Sequence, residues 1–139
     1  VVRSPIDGYG VFVQRDFAEG ELIAAVDGVA WHDGEDVDDR YSLKITDDVY
    51  YDMVDQTRWI NHSCTPNCDI DAGLGDDGQP WANVIALRDI SKGEELFYDY
   101  AFPAHLAEIC RCGSPDCRGA IVDEDEVEEG LKKLGLAPR

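Results

Sequence analysis

Three cysteines crowd into CRCGSPDCRG, at Cys110, Cys112 and Cys117, a C-x-C-x4-C run. Cysteine binds Zn²⁺ as thiolate, and a structural zinc site takes four ligands in a tetrahedron. The run therefore asks for a fourth ligand from elsewhere, and Cys64, Cys68, His32, His62 and His105 are the candidates. Ordinary buried cysteines, acting as small hydrophobes, are the competing reading. That reading fits poorly, because Arg111, Gly113, Ser114, Pro115 and Asp116 between them are polar or turn-forming residues.

Two further stretches carry chemistry. RWINHSCTPNC, over residues 58–68, sets Asn61, His62, Ser63, Cys64 and Asn67 directly after apolar Trp59-Ile60. Polar side chains so placed need defined partners if they are buried; a surface turn built from Asn, Ser and Pro is the plainer alternative. GEELFYDY, over residues 93–100, places Tyr98 and Tyr100 at i and i+2, on one side of a strand. Periodicity alone reads that pair as core packing.

The elements that must hold these residues are short and β-prone. Gly8 and Gly10 bracket Tyr9, Val11-Phe12-Val13 is strand-like, and Glu19-Gly20 marks a turn. RYSLKI and VYYDM are strands around a Thr46-Asp47-Asp48 turn, Ala82–Leu87 is another, and Ser91-Lys92-Gly93 turns into GEELFYDY. His32–Arg40 is acidic and aperiodic, hence a loop, and the Asp- and Gly-rich span Cys68–Pro80 reads as a second loop. Asp123–Leu134 reads as a helix, with acids at its start, Lys132-Lys133 at its end and Gly135 as a stop. Many short strands with little helix make a mainly β fold, and 139 residues make a single folding unit.

Charge narrows the function. Thirty Asp and Glu against 12 Lys and Arg give a net charge of −18, which argues against a surface that binds nucleic acid directly. The acid is either a solvated surface, as in salt adaptation, or a face that attracts basic peptides. Five cysteines, three of them clustered, suit a reducing compartment better than a disulfide framework, so an intracellular protein is expected. No run is long and apolar enough for a membrane span, no signal-like segment opens the chain, and a monomer is expected.

Taken in order, GYG near the start, RWINHSCTPN, GEELFYDY and CRCGSPDCRG resemble the SET-domain protein lysine methyltransferases, over about residues 3–120. Residues 1–102 match the SET core and 103–120 a post-SET segment, with no pre-SET module in these residues and an acidic, helical tail over 121–139. The resemblance implies small curved β-sheets with a pseudoknot that sets the NHSC segment beside the strand ending in YDY.

It also implies a set of roles. One structural Zn²⁺ would be held by Cys64, Cys110, Cys112 and Cys117, leaving Cys68 free and drawing the post-SET segment over the site. S-adenosylmethionine would be contacted by Gly8, Tyr9, Gly10, Arg58, Asn61, His62 and Tyr100, the glycines letting the backbone come close. Tyr100 would be the catalytic tyrosine, with Tyr98 and Tyr41 beside the substrate amine. Phe97 and Trp59 depart from the family's usual residues and are expected to pack. The implied reaction is mono- or dimethylation of a lysine in a basic protein or tail, histone or histone-like, in the nucleus of a eukaryote or the cytoplasm of a prokaryote. A catalytically silent module that binds basic peptides, and a zinc-stapled structural protein, are the alternatives from other classes.

Overall fold

The structure is a computed structural model that describes residues 1–5, 8–32 and 42–137. Tyr41 and most of the acidic stretch 32–40 lie outside the described residues. Twelve short strands build five small sheets among the described residues. β1 (Val2–Arg3) pairs antiparallel with β2 (Tyr9–Gly10). β3 (Leu22–Ala25) lies on one edge of a three-stranded sheet, and β4 (Gly28–His32) on the edge of another that continues through β6 (Val49–Met53) to β5 (Ser42–Lys44). A 3-10 turn, Gln56–Trp59, is capped by the Asp55 carboxylate accepting from the Thr57 amide, and leads into β7 (Asn61–His62).

β8 (Cys68–Leu74) and β9 (Pro80–Ala86) form the longest hairpin, and β9 also pairs with β3. The loop expected over 68–80 is therefore corrected: only its tip is a turn, where Gly78 takes φ +76° and the Asp77 carboxylate accepts the Gln79 amide. The acids obscured a period-two pattern. Cys68, Ile70 and Ala72 belong to the core, while Asp69 and Asp71 alternate with them and face out. Val11-Phe12-Val13 also differs from expectation, making a single bridge from Phe12 to Glu95 instead of a strand.

The main core gathers Val26, Met53, Ile60, Val84, Ile90 and Leu96 among its buried residues. A second, smaller core joins Ala104, Ala107, Ala120, Val122 and Leu131. It is built by a 3-10 turn (Ala104–Leu106), the hairpin of β11 (Glu108–Ile109) with β12 (Ala120–Ile121), and α1 (Val127–Lys133). The expected helix over 123–134 is shortened, because Asp123 caps a 3-10 turn over Glu124–Glu126 first. Gly130 packs against Val122, and a Cβ there would stand 2.8 Å from Val122 Cγ2. The helix ends in a Schellman motif, with the Leu136 amide donating to Leu131 and the Gly135 amide to Lys132.

Among the described residues no helix is long and apolar enough to cross a membrane.

Candidate active site and cysteine cluster

β7 and β10 (Phe97–Tyr98) pair in parallel, Asn61 opposite Phe97 and His62 opposite Tyr98. This pairing sets the NHSC segment beside the YDY segment. The polar side chains that the sequence left without partners find them here. Asn67, 3% exposed, donates through Nδ2 to the Glu95 carbonyl at 2.8 Å and accepts the Phe97 amide through Oδ1 at 2.9 Å. It thus takes the place of a neighbouring strand's main chain. The Ser63 hydroxyl accepts the Thr65 amide at 3.1 Å.

His62 is buried between the two segments. Its Nδ1 accepts the Tyr100 amide at 3.1 Å. Burial holds its pKa down at about 4, assisted by the Arg118 charge and opposed by Asp99. The neutral ring carries its proton on Nε2, which stands 3.5 Å from Cys64 Sγ.

The tyrosines cluster, with tilted rings, at the strand end. Ring centroids of Tyr98 and Tyr100 lie 4.7 Å apart, and Phe102 extends the series at 5.6 Å from Tyr100. The Tyr100 hydroxyl donates to the Ile60 carbonyl at 2.5 Å, and a phenol oxygen that donates can also accept. Burial, with Tyr100 adding to it, raises the Tyr98 phenol well above its ordinary range.

The sulfurs of Cys64, Cys110, Cys112 and Cys117 all lie within 4.8 Å of one another. Cys64 and Cys110, 46 residues apart in sequence, bring their sulfurs to 3.8 Å. Zinc–sulfur bonds of about 2.3 Å in a tetrahedron place sulfurs about 3.8 Å apart, so this donor set fits one Zn²⁺. Amides point at the sulfurs as well: Arg118 N donates to Cys64 and Gly119 N to Cys117, each at 3.4 Å. Burial raises the Cys64 and Cys110 thiols. For Cys112 burial acts in the same sense, but amide hydrogen bonds from Cys64 and Ser114 and the neighbouring thiols bring it down to about 7. Cys68 stays apart from the cluster. It is fully buried, donates to the Phe97 carbonyl at 3.2 Å and is pushed up to about 12 by burial.

A cavity of about 290 Å³ opens between β7 and the cysteine-bearing segment, lined by Asn61, His62, Tyr100, Glu108, Ile109, Cys110, Arg111, Cys112 and Ile121. A carboxylate, an amide, apolar side chains and a phenol together suit a ligand that is part cationic and part flat and apolar. A second cavity of similar size, lined by Ser63, Thr65, Arg88 and Ser114 among others, contains none of His62, Tyr98 and Tyr100.

Gly8, Tyr9, Gly10 and Arg58 do not line the first cavity. The Tyr9 carbonyl accepts Asn61 Nδ2 at 3.0 Å, which joins the GYG segment to the cavity wall. Arg58 lies over the Trp59 ring, whose edge meets Tyr9 at 6.2 Å between centroids. Gly8 needs its glycine for a φ of +44°. At Gly10 the Glu95 carboxylate occupies the space of a Cβ.

Glu95, Arg118 and the cavity-lining Glu108 were not singled out by the sequence. Glu95 is buried and accepts from Ser4 Oγ and from Asn61 Nδ2. Arg118 donates to Asp99, between the two tyrosines, at 2.7 Å. An acid in the strand-like GEELFYDY stretch and an arginine next to Cys117 were the signals available for Glu95 and Arg118.

The SET domain family matches residues 8–101. The chain is a member of that family. Among its relatives, this SET domain is 36% identical over 138 residues to the human protein "Histone-lysine N-methyltransferase 2B", covering 85% of the chain and 5% of that protein. It is 44% identical over 91 residues to the Schizosaccharomyces pombe protein "Histone-lysine N-methyltransferase, H3 lysine-4 specific", covering 63% of the chain and 10% of that protein. The SET domain thus spans a tenth or less of either relative. Its fold is similar to that of KRYPTONITE solved in complex with mCHG DNA and SAH, with TM-score 0.74, 27% identity, and coverage of 86% of this chain and 28% of that one. A second KRYPTONITE structure, with mCHH DNA, H3(1-15) peptide and SAH, matches with TM-score 0.71 and 26% identity over 86% of this chain and 28% of that one. The expectation that this SET domain contacts no nucleic acid rests on its charge alone.

Proposed function

We propose that this SET domain is an S-adenosylmethionine-dependent protein-lysine N-methyltransferase. Its substrate would be a lysine in a basic protein or tail, histone or histone-like, methylated once or twice. The observation that carries this reading is the cavity: Asn61 and His62 of β7 and Tyr100 just beyond β10 line it together with the cysteine-bearing segment. Relatives named as histone-lysine methyltransferases and a neighbour solved with SAH support the same activity.

S-adenosylmethionine, when bound, supplies an electrophilic methyl group on a sulfonium. Asn61 and the cavity wall would hold it, and Glu108 offers a carboxylate to its cationic part. The chain's own residues then do three things. Burial among Tyr98, Tyr100 and Phe102 disfavours a charged ammonium, lowering a lysine pKa that is ordinarily about 10.4. Tyr100, whose proton is committed to the Ile60 carbonyl, presents its oxygen as an acceptor that orients the incoming amine. Tyr98 keeps its proton and acts as a neutral hydrogen-bonding group, not as a phenolate base. Catalysis is then chiefly alignment in a preorganised site. One Zn²⁺ on Cys64, Cys110, Cys112 and Cys117 would fix the wall that Cys110 and Cys112 share with the cavity.

Titration calorimetry with S-adenosylmethionine tests the reading against its rivals. Saturable binding is expected, with stoichiometry near one per chain. No binding at millimolar cofactor would favour a purely structural zinc protein.

A further inference from the structure

One charged pair crosses from the cysteine cluster to the tyrosine strand. Arg118 follows Cys117 in sequence, and its main-chain N–H donates to Cys64 Sγ at 3.4 Å. Its guanidinium donates to Asp99 Oδ1 at 2.7 Å, with side chains 15% and 32% exposed. Asp99 sits between Tyr98 and Tyr100. The same Oδ1 accepts the Ala101 amide at 3.0 Å. Ala101 takes φ +49°, the one non-glycine residue at positive φ among the described residues. A side chain disfavours that conformation, so it persists only where surrounding bonds fix it.

We propose that Arg118 is a positioning residue that couples the cysteine cluster to the tyrosine strand. Its main chain is set by the Cys64 sulfur and its guanidinium sets Asp99, hence the Ala101 turn and the placement of Tyr100. Exposed ion pairs contribute little, but this one is mostly enclosed, short and charge-assisted. Its acceptor is also committed to a second, strained position. His62 makes a parallel link, with Nδ1 on the Tyr100 amide and Nε2 3.5 Å from the same Cys64 sulfur. Two routes therefore leave Cys64, one closing on the Tyr100 amide and the other, through Asp99, on the Ala101 amide, with His62 Nδ1 3.7 Å from Asp99 Oδ1 between them. A metal that fixes the sulfurs fixes both routes. The catalytic consequence rests on the methyltransferase reading; the mechanical coupling does not.

The test uses the whole chain with its zinc, in Arg118→Gln, Arg118→Lys, Asp99→Asn and the Arg118→Gln/Asp99→Asn double variant. Zinc is counted by elemental mass spectrometry, amide hydrogen exchange is followed at Tyr100 and Ala101, and cofactor affinity is measured by calorimetry. Arg118→Gln should keep its zinc, exchange about tenfold faster at both amides, and bind S-adenosylmethionine about tenfold more weakly, a typical size for coupled sites. Arg118→Lys should recover part of both losses, and the double variant should be no worse than either single one. Chelating zinc from the wild type should accelerate exchange at Ala101, and should add little in Arg118→Gln. Unchanged exchange at Tyr100 and Ala101 in Arg118→Gln would overturn the proposal. So would loss of zinc from a folded Arg118→Gln, which would make Arg118 part of the metal site alone. A wild type that fails to bind cofactor would remove the methyltransferase reading, while the exchange rates would still decide the coupling.

Discussion

Gly10 and Glu95 share one space: a Cβ on Gly10 would stand 2.8 Å from Glu95 Cδ and closer still to Oε2. The bare backbone at Gly10 admits a buried carboxylate, which Ser4 Oγ meets at 2.8 and 2.9 Å and Asn61 Nδ2 at 3.0 Å. The glycine therefore serves the cavity at one remove, through Asn61. Gly10→Ala should lower stability by roughly 1–3 kcal/mol, the usual cost of overpacking, as read from denaturant midpoints. It should also weaken cofactor binding. In the Gly10→Ala/Glu95→Ala double variant the two losses should sum to less than their parts, because the alanine then enters vacated space. Strict additivity would contradict a shared space.

The Cys64 and Cys110 sulfurs meet at 3.8 Å across 46 residues, so the cluster closes a long loop, and Cys110 and Cys112 also line the cavity. No buried residue of the main core belongs to that cluster. Chelation, or Cys112→Ser, should therefore abolish cofactor binding at metal or denaturant conditions where the β-sheet circular dichroism is still intact. Cofactor affinity unchanged in a demonstrably zinc-free sample would reduce the cluster to a plain staple.

Much of this was legible in the sequence, and the remainder was hidden for two physical reasons. The cysteine run, the NHSC stretch and the two tyrosines at i and i+2 carry their chemistry locally, in spacing. Glu95 meets Ser4 across 91 positions and Arg118 meets Asp99 across 19, and no spacing rule marks such pairs. Asn67 likewise showed only that it needed partners; that it stands in for a strand's main chain follows from the parallel pairing of β7 with β10. In β8, the acids at 69 and 71 read as loop residues although their alternation with Cys68, Ile70 and Ala72 is that of a half-buried strand. Local composition outweighed period there, wrongly.

Tyr98 holds its proton beyond the ordinary phenol range because it is buried. The unfolded chain loses that proton near pH 10 while the folded one keeps it, so the folded state binds more protons and stability falls as pH rises past about 10. Tyr98→Phe should remove this alkaline loss. In the proposed function its hydroxyl would occupy room beside the amine, so the same variant should shift the product toward trimethyllysine. Mass spectra with trimethyllysine as the main wild-type product would contradict this role.

Electrostatic attraction of a basic substrate should show in rate. With a net charge of −18, kcat/KM on a lysine peptide flanked by basic residues should fall as ionic strength rises through a Debye length of about 10 Å. A neutral-flanked peptide should show a weaker slope. Equal slopes would make the acidic surface a matter of solvation.

Methyl transfer to lysine beside Tyr100 is the proposed activity on which the rest depends. The direct measurement is mass spectrometry of a basic, histone-like peptide after incubation with the zinc-loaded protein and methyl-labelled S-adenosylmethionine. Label is expected on a lysine as mono- and dimethyl product, with Tyr100→Phe falling at least about a hundredfold in kcat, the scale of losing one preorganised group, while still binding cofactor. Cofactor bound but no label on any lysine, in peptides or in a cell lysate, would contradict it and leave a silent module that binds basic peptides.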